Sequence, residues 1–187
     1  NLGESFASYG SDKSTTHNYH QIYGSLFSDP PQVRKILEIG LGTTNPKIVS
    51  NMGKRGQPGA SLRALRDCFE NAEIIGLEFD RDILFAEDRI STYFVDQTRP
   101  ETFSDLNDSV GQDFDLMIDD GLHAPHANIF SLEFFLPRLA VGGFAIVEDI
   151  SPYSQAIWRI VARQLPKAYR AALVDTRNAK IFVVERL

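Results

Sequence analysis

Four carboxylates and a histidine cluster in two short segments: FDLMIDDGLH holds Asp119, Asp120 and His123, and GGFAIVEDI holds Glu148 and Asp149. Each segment is an apolar run that ends in acids. Were the runs neighbouring parallel strands, about 4.8 Å apart, their acidic ends would converge within reach of one ion. Carboxylates that close repel one another unless a cation neutralises them. An all-oxygen set favours Mg²⁺, with Mn²⁺ and Ca²⁺ as alternatives. The competing reading has Asp149 or Ser151 capping a helix that starts at Pro152, and Asp119 turned inward onto backbone amides. His123, three residues past Asp120, is placed to take a hydroxyl proton near neutral pH.

A second set of polar residues ends three earlier runs. KILEIG leads into LGTT and gives Glu38-x-Gly40-x-Gly42, where glycines let the backbone approach a ligand. The dinucleotide pattern G-x-G-x-x-G is broken by Asn45 and Pro46, so a pyrophosphate cradle is not supported. Glu78 ends the next run and has the chemistry to accept both hydroxyls of a ribose; Asp96 and Gln97 end the one after and suit an adenine. Each acid alone is more often a solvated loop residue or a helix cap than a ligand contact, and Asp80 and Asp82 suit a helix start. Three in succession on one edge point to a nucleoside site.

These positions require a particular framework. Runs 35–41, 73–79, 91–96, 114–119 and 143–149 are short, rich in Ile, Leu, Val and Phe, and read as parallel strands covered on both faces. Helical patterns at 58–72, 81–90, 100–108, 125–139 and 151–165 alternate with them. The order predicts an α/β, doubly wound, Rossmann-like sheet with helices on both faces. Runs 171–176 and 179–187 are too close for a parallel return and predict a hairpin, making seven strands with an antiparallel C-terminal strand. Residues 1–34, rich in tyrosine and histidine, read as an arm or lid before a domain at 35–187, and residues 43–59 as an irregular loop with room for one helical turn. Cys68 and Trp158 fall in amphipathic helical patterns and read as core, and His126 as a surface residue at a helix start.

Composition narrows the classes. The 187 residues carry 25 acids against 19 bases, a net charge of −6 that disfavours a nucleic-acid binder. One cysteine excludes an internal disulfide and a multi-cysteine zinc cage. No apolar run is long enough for a membrane span, and the first residues lack a signal-peptide layout, so a cytoplasmic protein is expected. The chain starts at Asn1 without methionine, as expected of a trimmed chain or a domain excised from a longer protein; any preceding sequence is expected to be a further domain or tag.

LEIGLG, GLE, VDQT, FDLMIDDGLH and GGFAIVED together resemble the class I S-adenosylmethionine-dependent methyltransferases, over roughly residues 34–150. More narrowly, DDGLH before an apolar helix, LPRLAVGGFAIVED and GSDKSTTHNYHQIY resemble the metal-dependent sugar O-methyltransferases of macrolide, mycinamicin-type, biosynthesis. The resemblance implies that Gly40 and Gly42, with Glu38 and Asp119 nearby, line the methionine end of S-adenosylmethionine. It places Glu78 on the ribose and Asp96 and Gln97 by the adenine. It makes Asp120, Glu148 and Asp149 ligands of Mg²⁺ or another divalent cation, and His123 the general base beside Asp120. Lys13, His17 and Tyr19 would close over cofactor and substrate. The implied reaction is O-methylation of a small-molecule or carrier-bound hydroxyl acceptor, a glycan among them. A catechol-type methyltransferase and a catalytically silent module of a larger protein are the competing functions, and a homo-oligomer or a fusion to other domains is open. Leu122, where the family has a small residue, and the 43–59 loop depart from the pattern.

Overall fold

The computed structural model describes residues 1–27 and 32–187; residues 28–31, within the expected arm, lie outside the described residues. The chain runs α1 (Leu2–Tyr9), α2 (Tyr19–Leu26), β1 (Lys35–Ile39), α3 (Ala60–Cys68), β2 (Glu73–Glu78), β3 (Ala86–Glu87), β4 (Ile90–Phe94), α4 (Pro100–Ser104) and α5 (Asn107–Val110). It continues through β5 (Phe114–Asp119), α6 (Pro125–Phe135), β6 (Leu139–Ile150), α7 (Gln155–Gln164), β7 (Tyr169–Asp175) and β8 (Lys180–Arg186). One eight-stranded sheet has the order β3-β4-β2-β1-β5-β6-β8-β7. The central pairs are parallel, whereas β8 inserts antiparallel between β6 and β7. The strand order reverses at β1/β5, where such sheets open a crevice beyond the carboxyl ends of the strands.

Strand alternation sorts the core into two layers. Leu37, Ile39, Leu77, Met117 and Val147 point to one face, where Trp158 of α7 and Phe134 and Phe135 of α6 cover them. Ile36, Ile74, Leu116, Ile118 and Ile146 point to the other, under Leu62 and Leu65 of α3 and under Phe6, Tyr19 and Tyr23 of the first two helices. Residues 1–27 thus supply core side chains to one face of the sheet. Period two also puts Glu38 on the same face as Ile36, and Glu148 on the same face as Ile146. Both acids therefore point to the face that the N-terminal helices cover.

The helix expected over 81–90 is absent, and the sheet gains its eighth strand there. Asp80 caps a single 3₁₀ turn over Arg81–Ile83 by accepting the Asp82 amide at 3.2 Å. Thr92 Oγ1 then takes the Phe85 amide and donates to the Phe85 carbonyl, each at 2.6 Å. With Arg89 at φ 57°, the chain reverses into the short β3·β4 pairing. These local bonds outweigh the helical spacing of the apolar residues. Residues 43–59 contain turns but no helix. No helix among the described residues is long and apolar enough to cross a membrane.

Candidate functional site

The crevice at the strand ends is a cavity of about 590 Å³. Gly40, Gly42, Glu78, Asp96 and Gln97 line it from β1, β2 and β4, the 47–52 segment forms a wall, and Asp120, Leu122, His123 and Asp149 stand at β5 and β6. Gly40 sits at φ 94°, and a Cβ there would overlap the Asp120 carbonyl. Only glycine permits both that backbone angle and that approach. The strand ends are cross-tied: the Gly40 amide donates to the Leu77 carbonyl and the Asp120 amide to the Ile39 carbonyl, both at 2.9 Å.

Beyond the glycines, Asp120, His123 and Asp149 bring one ligand atom each to within 4.8 Å of one another. His123 Nε2 lies 3.8 Å from both Asp120 Oδ1 and Asp149 Oδ2. The other oxygen of each carboxylate belongs to the N-terminal segment. Lys13 donates to Asp120 Oδ2 at 2.6 Å, and the Tyr19 hydroxyl donates to Asp149 Oδ1. His17 stacks on Tyr19 with ring centroids 4.6 Å apart. Both His123, at φ 56°, and Asp149, at φ 52°, adopt left-handed backbone, which non-glycine residues enter at a cost. The two carboxylate oxygens facing the cavity fit a hard, oxygen-seeking divalent cation with positions left for an acceptor, and the imidazole beside them suits proton transfer.

Several expected contacts fall elsewhere. Asp119 is fully buried and accepts from Gln97, Asn128 and the Gly121 amide at 2.8, 2.9 and 3.1 Å, so it braces the loop beneath the cavity and does not touch its interior. Glu38 is also fully buried and is absent from the cavity lining; its Oε1 lies 3.2 Å from Lys13 Nζ. Glu148 faces inward, with Lys13 at 2.6 Å on one oxygen and the Tyr23 hydroxyl on the other. Lys13, 2% exposed, lies beneath the carboxylates, where the resemblance places it over the ligands. Gln97 lines the cavity, but its amide is spent on Asp119, Ser131 and the Leu122 amide. Glu78 accepts three backbone amides, from Leu41, Phe79 and Asp80, at 2.7 to 2.9 Å. A carboxylate has about four acceptor positions, so one remains for a ligand. Asp96 lines the cavity and accepts the Thr98 amide and hydroxyl through Oδ1.

The roles of Tyr23 and Gly121 escape a reading by motif. Tyr23 follows Tyr19 by one helical turn, a spacing that signals a shared face but not its partners. A Cβ on Gly121 would collide with the Gln97 side chain.

Burial raises Asp120 and Glu38 above the ordinary carboxylate range and pushes Glu148 up to about 7, against the pull of Lys13. Between pH 4.5 and about 7 the folded state therefore holds a proton on Glu148 that the unfolded chain has released. Its contribution to stability is complete below pH 4.5 and is lost as pH rises through about 7, worth roughly 3 kcal/mol. Urea melts in chelator are expected to weaken between pH 5 and pH 8, and Glu148→Gln to flatten that decline; an equal slope in the variant would place its source elsewhere.

No family model matches the chain. The MycE methyltransferase from the mycinamycin biosynthetic pathway, solved with Mg and SAH, superposes with a TM-score of 0.77 at 24% identity, covering 99% of this chain and 54% of that one. An rRNA methylase from Streptococcus thermophilus superposes with a TM-score of 0.60 at 15% identity, over 90% of this chain and 96% of that one. The chain has a methyltransferase fold. Among curated proteins, this methyltransferase-fold chain is 29% identical over 143 residues to 8-demethyl-8-alpha-L-rhamnosyl tetracenomycin-C 2'-O-methyltransferase of Streptomyces olivaceus, covering 76% of the chain and 35% of the relative. It is 31% identical over 117 residues to demethylmacrocin O-methyltransferase of Streptomyces fradiae, covering 62% and 27%. The chain spans about a third of the length of these relatives.

Proposed function

We propose that the chain binds S-adenosylmethionine in the strand-end cavity and transfers its methyl group to a hydroxyl of a sugar on a small molecule, with Mg²⁺ or a similar cation at Asp120 and Asp149. One observation carries this reading: the cavity lined by Gly40, Gly42, Glu78 and Asp96 ends at Asp120, His123 and Asp149. The strand-end residues suited to a nucleoside and the acid–imidazole set suited to a cation and a proton therefore line one cavity. The rhamnosyl compound in the name of one relative supports a sugar acceptor.

In this reading the glycines admit the methionine end, Glu78 uses its remaining acceptor position on the ribose, and Asp96 lies on the adenine side. Asp120 and Asp149 would hold the cation, while Glu148 stands behind them against Lys13 and Tyr23. A bound divalent cation would lower the pKa of a coordinated hydroxyl and hold it in place. His123 takes the hydroxyl proton through Nε2. The acceptor oxygen bonds to the methyl carbon as the carbon–sulfur bond breaks, and the sulfur keeps the electron pair. Holding the nucleophile in line and keeping water away are the main requirements for an already activated methyl donor.

Calorimetry with S-adenosylmethionine, followed by transfer of labelled methyl to rhamnosylated acceptors with and without Mg²⁺, tests the proposal. Binding and cation-dependent transfer are expected. Absence of cofactor binding would overturn the reading, and transfer in chelator would remove the cation from it.

A further inference from the structure

Lys13 is buried among acids on which a second cation could sit. Its Nζ lies 2.6 Å from Asp120 Oδ2, 2.6 Å from Glu148 Oε2 and 3.2 Å from Glu38 Oε1. An ammonium has three N–H donors, and three carboxylates meet it. Glu38 is fully buried, and among the described residues the Lys13 ammonium is the one cation against it, with the Ser61 hydroxyl its neutral neighbour. Without a cation here it would be an uncompensated buried charge, a costly state. Asp120 is common to two oxygen sets: Oδ2 joins Glu38 and Glu148 around Lys13, and Oδ1 faces His123 and Asp149. This is the layout of a two-cation centre with a bridging carboxylate, one position of which is filled by a side chain.

We infer that Lys13 is a tethered cation that occupies the second position, so that the centre takes a single divalent ion and Asp120 presents only Oδ1 to it. Lys13 is then a positioning residue, acting on the reaction through Asp120. The inference rests on the cation site proposed above. Removing the ammonium leaves Glu38, Asp120 and Glu148 facing one another, a hard oxygen set that Mn²⁺ would fill at shorter distances than the ammonium.

The test is Mn²⁺ stoichiometry in the chain and in Lys13→Met, by calorimetry and by electron paramagnetic resonance, with circular dichroism for folding. One Mn²⁺ is expected in the parent and two in the variant, with the spin coupling of ions that share a carboxylate. Lys13→Gln, which keeps a donor, is the second variant should Lys13→Met fail to fold in chelator; folding restored by two equivalents of Mn²⁺ supports the inference equally. One ion in the parent and one in each folded variant would overturn it, as would variants that stay unfolded in Mn²⁺. No ion in the parent would instead overturn the cation site on which it rests.

Discussion

Replacing His123 by asparagine is expected to lower methyl transfer by ~10²–10⁴-fold, the range for a lost general base, while S-adenosylmethionine binding stays within a few-fold. Asparagine is the informative substitution because position 123 sits at φ 56°, which asparagine tolerates better than alanine. The backbone of the loop then persists, and the loss belongs to the imidazole. His123 Nε2 faces both carboxylates at 3.8 Å, on the cavity side. A quench of transfer with calorimetric cofactor affinity retained is the expected pair of results. Unchanged transfer would exclude His123 as the proton acceptor.

Gly40→Ala is expected to abolish cofactor binding and to destabilise the fold by ~3–5 kcal/mol, among the larger effects of a single substitution. A methyl group there meets the Asp120 carbonyl, which lies in the backbone and cannot rotate away, and φ 94° is itself closed to alanine. Relief requires β1 and β5 to part at their carboxyl ends, where the Asp120 amide is bonded to the Ile39 carbonyl at 2.9 Å. Gly24→Ala is the control. It lies in α2 with nothing within 4 Å of the added carbon, and gains helix propensity of about 0.5–1 kcal/mol. Thermal melts and titration of the two variants distinguish a local clash from a general intolerance of larger residues.

The central strands were legible because each is a short apolar run closed by glycine or an acid, and burial on both faces leaves little freedom in such a run. The strand ends that meet at the site followed from their order. The 81–90 segment was misread because its apolar spacing is helical, whereas Asp80 and Thr92 satisfy the backbone locally in another form. The roles of Asp119 and Glu38 were hidden for a different reason. An acid at a strand end reads the same whether it faces ligand or interior, and the face is decided by what covers it. For Glu38 and Glu148 the cover is Lys13, Tyr19 and Tyr23. Lys13 is separated from Asp120 by 107 residues and from Glu148 by 135, distances at which no local pattern signals a pairing.

The N-terminal segment also reaches the far end of the chain. Arg177 donates its amide to Asn18 Oδ1 at 2.8 Å and its guanidinium to the Thr15 carbonyl at 3.2 Å, while Asn178 donates to the Thr16 carbonyl at 2.7 Å. Synthesis runs from N- to C-terminus, so the segment that seals the acidic centre is made before the strands that carry the acids. Lys13 must wait for β5 and β6, and the loop carrying it is pinned only after the β7–β8 turn has emerged. Loop closures of that span fold slowly. The acidic centre is therefore a late-forming part of this fold, and Tyr19 and Tyr23, buried in the finished structure, remain exposed to solvent and chaperones until β6 has emerged.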